Sequence, residues 1–311
     1  MIEIENLRQV FGDKVAVDDV SFTVRPGSVT GLLGPNGAGK STTMRMIVGL
    51  DHPAGGSVRV NGSDFRESAH PLRDLGALLD PTAVHPGRSG RMHLRAIAAT
   101  NSISTARVDE VLRLTGMTDA AHRRIGTYSL GMRQRIGIAA ALLGDPRVLV
   151  LDEPVNGLDP DGVHWVRQLM KGLAADGRTV LVSSHLMSEM ALTADHLVVM
   201  GRGRLITQGP VSDVIAQRTQ SDVLVRSPDA VALGEALTAI GATVRPGPDG
   251  ALLVTDTTAA RVGEVAASRS IVLHELTPHQ GSLEDAFLAL TQDDREYTAG
   301  STAVQTEGAP R

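Results

Sequence analysis

Gly34-Pro35-Asn36-Gly37-Ala38-Gly39-Lys40-Ser41-Thr42 is the stretch on which the fold of this chain turns. It follows an apolar run at 29–33 and precedes a helical pattern at 44–50. A ligand with several closely spaced negative charges needs donors that approach it without side-chain bulk, and glycines at 34, 37 and 39 permit that approach. Successive backbone N–H groups of such a turn point inward as a nest, the following helix brings its N-terminus to the same place, and Lys40 adds a mobile positive charge. The spacing G-x-x-x-x-G-K-[ST] between a strand and a helix therefore reads as a loop for the phosphates of a nucleoside triphosphate such as ATP, with Ser41 placed for Mg²⁺.

Outward from this loop, residues 2–10 and 20–24 alternate apolar and polar side chains around Gly12-Asp13-Lys14 and predict a half-buried antiparallel β layer beside the core. Phe11 stands at the tip of that hairpin, where its ring can stack on adenine or simply pack on the sheet. The continuous apolar run at 29–33 predicts a central strand covered on both faces. Residues 55–62 predict a short edge strand between turn residues, and 75–79 another buried strand ending at Asp80. An acid at the carboxyl end of a strand in an open α/β sheet points into the ligand crevice, although a turn cap is an equal reading of Asp80. From 90 to 143 apolar residues recur every three or four positions, predicting a helical insertion at about 82–145. Its last helix starts at Ser129, a capping residue followed by backbone N–H groups, and so a second potential anion site.

Arg147-Val148-Leu149-Val150-Leu151-Asp152-Glu153-Pro154 predicts a hydrophobic strand that stops at two adjacent carboxylates, which are costly there unless something positive is present. With the phosphate loop expected on a neighbouring strand, that partner is Mg²⁺ with ATP: Asp152 serves the metal's water shell and Glu153 faces the γ-phosphate. Asn156-Gly157-Leu158-Asp159-Pro160 turns into a further helix, and residues 179–185 repeat the strand-then-polar pattern, ending at His185. A hairpin around Gly201-Arg202-Gly203 and a closing helix at 210–218 complete a domain spanning 1–218. The remaining pattern, strand, helix, two strands, helix and strand, predicts a small ferredoxin-like α+β domain at 219–292 that includes a last helix over 282–290. Residues 293–311 are polar and are expected to lack a fixed structure.

Composition narrows the class. A chain of 311 residues, 42% of them hydrophobic, has room for one large α/β domain and a smaller one. A net charge of −5 and an aromatic content of 2% argue against a nucleic-acid partner, which calls for a basic excess or stacking rings. The absence of cysteine excludes disulfides and thiolate metal sites. Met1-Ile2-Glu3-Ile4-Glu5 lacks the basic and then apolar start of a signal peptide, and the longest apolar stretch, at 136–143, falls far short of the ~20 residues that cross a bilayer. Any membrane role is expected to come through a partner.

Taken in order, these pieces resemble the ATP-binding subunits of ABC transporters, from residue 2 to about 218. Tyr128-Ser129-Leu130-Gly131-Met132 occupies the family's signature position, normally Leu-Ser-Gly-Gly-Gln, with Arg133-Gln134-Arg135 behind it. Leu130 and Met132 depart from that pattern, as does Asp80, which aligns with the family's Q-loop glutamine. The resemblance implies a P-loop NTPase of ABC type, adenine stacking on Phe11, Asp159 in the D-loop and His185 in the H-switch. Catalysis would fall to Glu153, His185 and Lys40, Mg²⁺ to Ser41, Asp80 and Asp152, and γ-phosphate contacts in a second copy of the chain to Ser129, Leu130, Gly131 and Met132. Leu78-Leu79-Asp80, the signature segment and the stretch at 276–287 are similar to bacterial exporter ATPases of the drug-resistance, daunorubicin and lantibiotic-immunity type. That likeness implies a homodimer on the cytoplasmic face of the membrane, beneath a separately encoded permease. A soluble ABC-type ATPase acting on ribosomes or DNA is the rival, yet such relatives usually carry two cassettes or coiled-coil arms. The departures at Asp80, Leu130 and Met132 also suggest a catalytically weak regulatory module.

Overall fold

The computed structural model describes residues 1–218, 222–279, 283 and 287. Contacts divide the chain into two compact units, Met1–Val211 and Ser212–Arg311.

In the first unit β1 (Ile2–Phe11) and β2 (Lys14–Val24) pair antiparallel, with Ile2 and Ile4, then Leu7 after a shift of register, and Val20, Phe22 and Val24 buried. β3 (Ser28–Leu33) and α1 (Lys40–Ile47) flank the glycine-rich loop, and β4 (Gly55–Val60) then joins the first hairpin in the order β2-β1-β4. The short helix α2 (Pro71–Asp74) precedes β5 (Leu75–Leu78). The expected helical insertion follows as α3 (Gly90–Thr100), α4 (Thr105–Leu114) and α5 (Leu130–Ala141). The side chains of Ser89, Ser104 and Ser129 each accept a hydrogen bond from a first-turn N–H, which fixes where these three helices start.

The chain then alternates β6 (Val148–Leu151), α6 (Pro160–Ala175), β7 (Thr179–Ser184), α7 (Met187–Thr193), β8 (His196–Gly201), β9 (Arg204–Pro210) and α8 (Val211–Arg218). Sequence periodicity does not predict α7. The six-stranded sheet runs β5-β6-β7-β3-β8-β9, parallel throughout except for β9. One expectation is corrected here: the strand carrying Asp152 is not the neighbour of the strand carrying the phosphate loop, because β7 lies between them. Burial patterns reveal which strands are central but not who pairs with whom, and β3, β6 and β7 are all buried. The three-stranded layer closes one face of this sheet, and Ile4, Leu7 and Phe22 share a core with Leu32, Met44, Ile47 and Val150.

The second unit contains β10 (Asp222–Arg226), α9 (Ala230–Thr238), β11 (Thr243–Pro246), β12 (Leu252–Thr255), α10 (Ala259–Ser268) and β13 (Glu275–His279). Its sheet is antiparallel in the order β11-β12-β10-β13 and carries its own core of Val223, Val225, Leu233, Leu237, Val254 and Val262. Of the expected helix at 282–290 only Leu283 and Phe287 are described, both buried. The stretch at 293–311, expected to be unstructured, lies outside the described residues. No helix among the described residues is long and apolar enough to cross a membrane.

Candidate active site

The site is built on β3, the strand that pairs with both β7 and β8. Its beginning is fixed by Asp195, whose carboxylate accepts from the Val29 N–H at 2.8 Å and whose own N–H donates to the Val29 carbonyl at 2.8 Å. At its end the chain turns sharply: the Ala38 N–H donates to the Pro35 carbonyl at 3.1 Å, and Gly39 adopts a left-handed backbone with φ of 97°. A β-carbon on Gly39 would lie 2.7 Å from the Ala16 carbonyl oxygen, so both torsion and space demand glycine there. The Thr43 N–H then donates to the Gly39 carbonyl at 2.9 Å and starts α1, leaving earlier N–H groups of the turn free to face a ligand.

Lys40 is buried, and its Nζ donates to the carbonyls of Gly34 at 2.7 Å and Pro35 at 3.2 Å. Burial lowers the proton affinity of this ammonium, while Glu153 and Asp152 pull it back up. A cation kept out of water and, among the described residues, hydrogen-bonded to neutral carbonyls is poised for an anion.

Lys40 opens on a cavity of about 460 Å³, within the usual range for small-molecule sites. Residues 36–42 form one wall, Phe11, Lys14 and Ala16 a second, and Leu130, Gln134, Asp152, Glu153 and Asn156 a third. Asp152 continues the sheet ladder by donating its N–H to the Leu78 carbonyl at 2.8 Å. Ser183, on the intervening strand β7, donates its hydroxyl to the Asp152 carboxylate and accepts from the Glu153 N–H at 2.9 Å. Glu153 has a φ of 49°, a left-handed conformation that a non-glycine residue keeps only when its surroundings impose it. Its carbonyl accepts from the Gln134 side-chain amide at 3.1 Å and from the Asn156 N–H at 3.2 Å. Its carboxylate Oε2 lies 2.8 Å from Nδ1 of the half-exposed His185.

Lys40, Ser41, Thr42, Asp152 and Glu153 thus come together at one cavity, and His185 joins them through Glu153. Phe11 is half exposed and lines the same cavity rather than packing beneath the sheet. Asp80 does not reach the cavity wall, which its neighbours Leu79 and Pro81 line instead. Its carboxylate accepts from the backbone N–H and the hydroxyl of Thr82 at 2.7 and 2.6 Å, and these bonds hold its pKa below the ordinary carboxylate value. In this arrangement the Asp80 carboxylate acts as a turn cap. Ser129 accepts from the Met132 N–H at 3.2 Å as the cap of α5, and Asp159 accepts from the Gly162 N–H at 3.0 Å as the cap of α6. Ser129, Gly131, Met132 and Asp159 do not line this chain's cavity, whereas Leu130 does. Sequence reasoning missed Ser183, Gln134 and Asn156, whose roles come from strand and helix neighbours that no local pattern reveals.

A glycine-lined turn with a buried lysine, facing an acid pair at the carboxyl end of a parallel sheet, defines a P-loop nucleoside triphosphatase. The chain belongs to the ATP-binding subunits of ABC transporters, enzymes that bind ATP and couple its hydrolysis to transport. The family model described as ABC transporter matches residues 17–156, and one described as a domain of unknown function matches 221–284. The chain is 43% identical over 216 residues to YhcH, an uncharacterized ABC transporter ATP-binding protein of Bacillus subtilis, covering 68% of this chain and 71% of the relative. It is 32% identical over 299 residues to the bacitracin transport ATP-binding protein BcrA of Enterococcus faecalis, covering 93% and 96%. A solved structure described as the ATP binding subunit of an ABC transporter superposes with a TM-score of 0.64 at 27% identity, covering 70% of this chain and 92% of that one.

Proposed function

We propose that the chain powers a bacterial exporter of drug-like or peptide substrates by closing on a second copy of itself around ATP, at the cytoplasmic face of the membrane and beneath a separately encoded permease. The observation that carries this reading is the cavity in which Lys40 faces Asp152 and Glu153. The two carboxylates, adjacent at the end of one strand and beside Lys40, suit a divalent cation arriving with a polyphosphate. Ser41 and Asp152 would hold Mg²⁺, the metal directly or through its waters. When bound, the cation supplies charge to offset that developing on the phosphate oxygens.

Lys40 exchanges its carbonyl acceptors for phosphate oxygens, and Phe11 offers its exposed ring to the adenine. Glu153 orients the attacking water and accepts its proton, while His185, hydrogen-bonded to the same carboxylate, holds water and γ-phosphate in line. Residues 129–132 of the second chain, with Asp159 beside them, cover the γ-phosphate from the other side. The exposure of Leu130 at the start of α5 and the position of these residues at a helix N-terminus support this role. The likeness to a bacitracin transport protein over almost the whole chain supports the exporter class and a membrane subunit as partner.

The Glu153→Gln variant tests the reading: it is expected to bind ATP and accumulate a dimer of twice the mass, while turnover falls about 10²-fold or more. Turnover close to wild type removes Glu153 as the catalytic carboxylate. Co-purification of the tagged full chain with a multi-span membrane protein supports the transporter over a soluble ATPase, whereas recovery on ribosomes overturns it.

A further inference from the structure

Gln134 lies on α5, one turn beyond the residues that begin that helix, and is 1% exposed. Its amide nitrogen donates to the Glu153 carbonyl at 3.1 Å. Its amide oxygen is buried and has no hydrogen-bond partner among the described residues, although the side chain lines the phosphate cavity. Glu153 meanwhile holds a left-handed backbone, fixed at its N–H by Ser183 and at its carbonyl by Gln134 and Asn156. The direction of the Glu153 carboxylate follows from that peptide, so whatever anchors the peptide aims the carboxylate.

The helix that supplies the anchor is itself braced. Arg135, the next residue, donates to the Thr115 carbonyl at 3.1 Å and lies 4.6 Å over the Trp165 ring of α6. Gln134 lies one turn from the start of α5, and the hydrogen bonds within the helix make so short a stretch stiff, so a displacement of the first turn carries Gln134 with it.

We propose that Gln134 is a positioning residue that ties the peptide of Glu153 to α5, so that seating the first turn of α5 on the second chain's nucleotide sets the carboxylate at this chain's own nucleotide. The proposal rests on the reading of Glu153 and of the ATP-bridged dimer given above, and it extends that reading by linking the two sites through one side chain. The unpaired amide oxygen fits the same role, since water brought into the occupied cavity can donate to it and hold the side chain in place.

The test measures steady-state ATPase activity against ATP concentration, ATP affinity by calorimetry, and melting temperature. It uses the full chain as wild type, Gln134→Met, Arg135→Gln and Glu153→Gln. Gln134→Met keeps the volume and loses the donor. It is expected to lower kcat about 10²-fold, the penalty typical of a misplacement of about 1 Å, with KM and ATP affinity within about threefold of wild type. Its Hill coefficient should fall toward one from a higher wild-type value. Arg135→Gln loosens the same helix without touching Glu153 and should keep kcat within about threefold. If Gln134→Met fails to fold, Gln134→Leu, which also lacks the donor, carries the same expectations. A Gln134 variant that turns over like wild type overturns the proposal, as does a loss of kcat matched by Arg135→Gln and by a shared drop in melting temperature. An unchanged Hill coefficient overturns the link between sites. Should Glu153→Gln itself turn over normally, the functional reading fails instead.

Discussion

Lys40 is the residue at which binding and stability pull apart. Burial lowers its proton affinity, with Glu153 and Asp152 opposing that shift only in part. A lysine whose folded-state pKa is lowered is charged at a cost in the folded protein. Between the folded value and the unfolded value of 10.5 the unfolded chain binds more protons, so the cost is full below that window and fades as pH rises through it. Lys40→Met removes the cost at neutral pH. The nucleotide-free variant should therefore melt at or above the wild-type temperature. With ATP at about 100 times the wild-type Kd, the wild type should gain about 2.7 kcal/mol, roughly 5–10 °C, and the variant nothing. Scanning calorimetry of both proteins with and without ATP checks this. A lower melting temperature for the nucleotide-free variant would mean that the bonds from Lys40 to Gly34 and Pro35 outweigh the burial of its charge.

At the scale of elements, Leu130 acquires a physical account. It stands where the family has glycine, and its side chain covers Gly157 in the turn before α6. A β-carbon on Gly157, whose φ is 75°, would fall 2.3 Å from Cδ2 of Leu130. Gly157→Ala should cost about 1–3 kcal/mol, and less in a Leu130→Gly background, with a coupling of about 0.5–3 kcal/mol. Urea unfolding of the two single variants and the double variant gives the coupling directly.

The same elements show what could be read from the chain and what could not. The phosphate loop, the cap at Ser129 and the strand ending in Asp152 and Glu153 are local patterns of glycine, hydroxyl and apolar runs, and they were legible. Ser183 was not, because its role depends on β7 lying between β3 and β6, an order that no side-chain period encodes. Gln134 was hidden for a similar reason: a glutamine on a helix looks solvent-facing until the neighbour across from it is known. Asp80 stays open in the sequence because a strand-end acid and a turn cap carry the same signature; in the structure its carboxylate caps the turn at Thr82.

For the whole molecule, the residues gathered at the cavity fall between Phe11 and Asn156, with His185 joining through Glu153, all inside the first unit. The first unit and the second carry separate cores. A chain ending at residue 218 should therefore bind ATP with an affinity within about threefold of the full chain, as measured by calorimetry. A loss of tenfold or more would assign the second unit a part in nucleotide binding.

The place of β3 in the sheet also sets a timetable for synthesis. The strand that carries the phosphate loop is made early, yet its two ladder partners are Thr179–Ser184 and His196–Gly201, and the loop carbonyl of Ala38 waits for the N–H of Gly203. At about 5–20 residues per second, the ribosome takes roughly 10–30 s to travel from Lys40 to Gly203. Until Thr179–Ser184 is made, Val29, Leu32 and Leu33, fully buried in the finished protein, have no ladder partner. The nascent chain is thus a natural client for chaperones, and it gains the capacity to bind ATP only near the end of its first domain's synthesis.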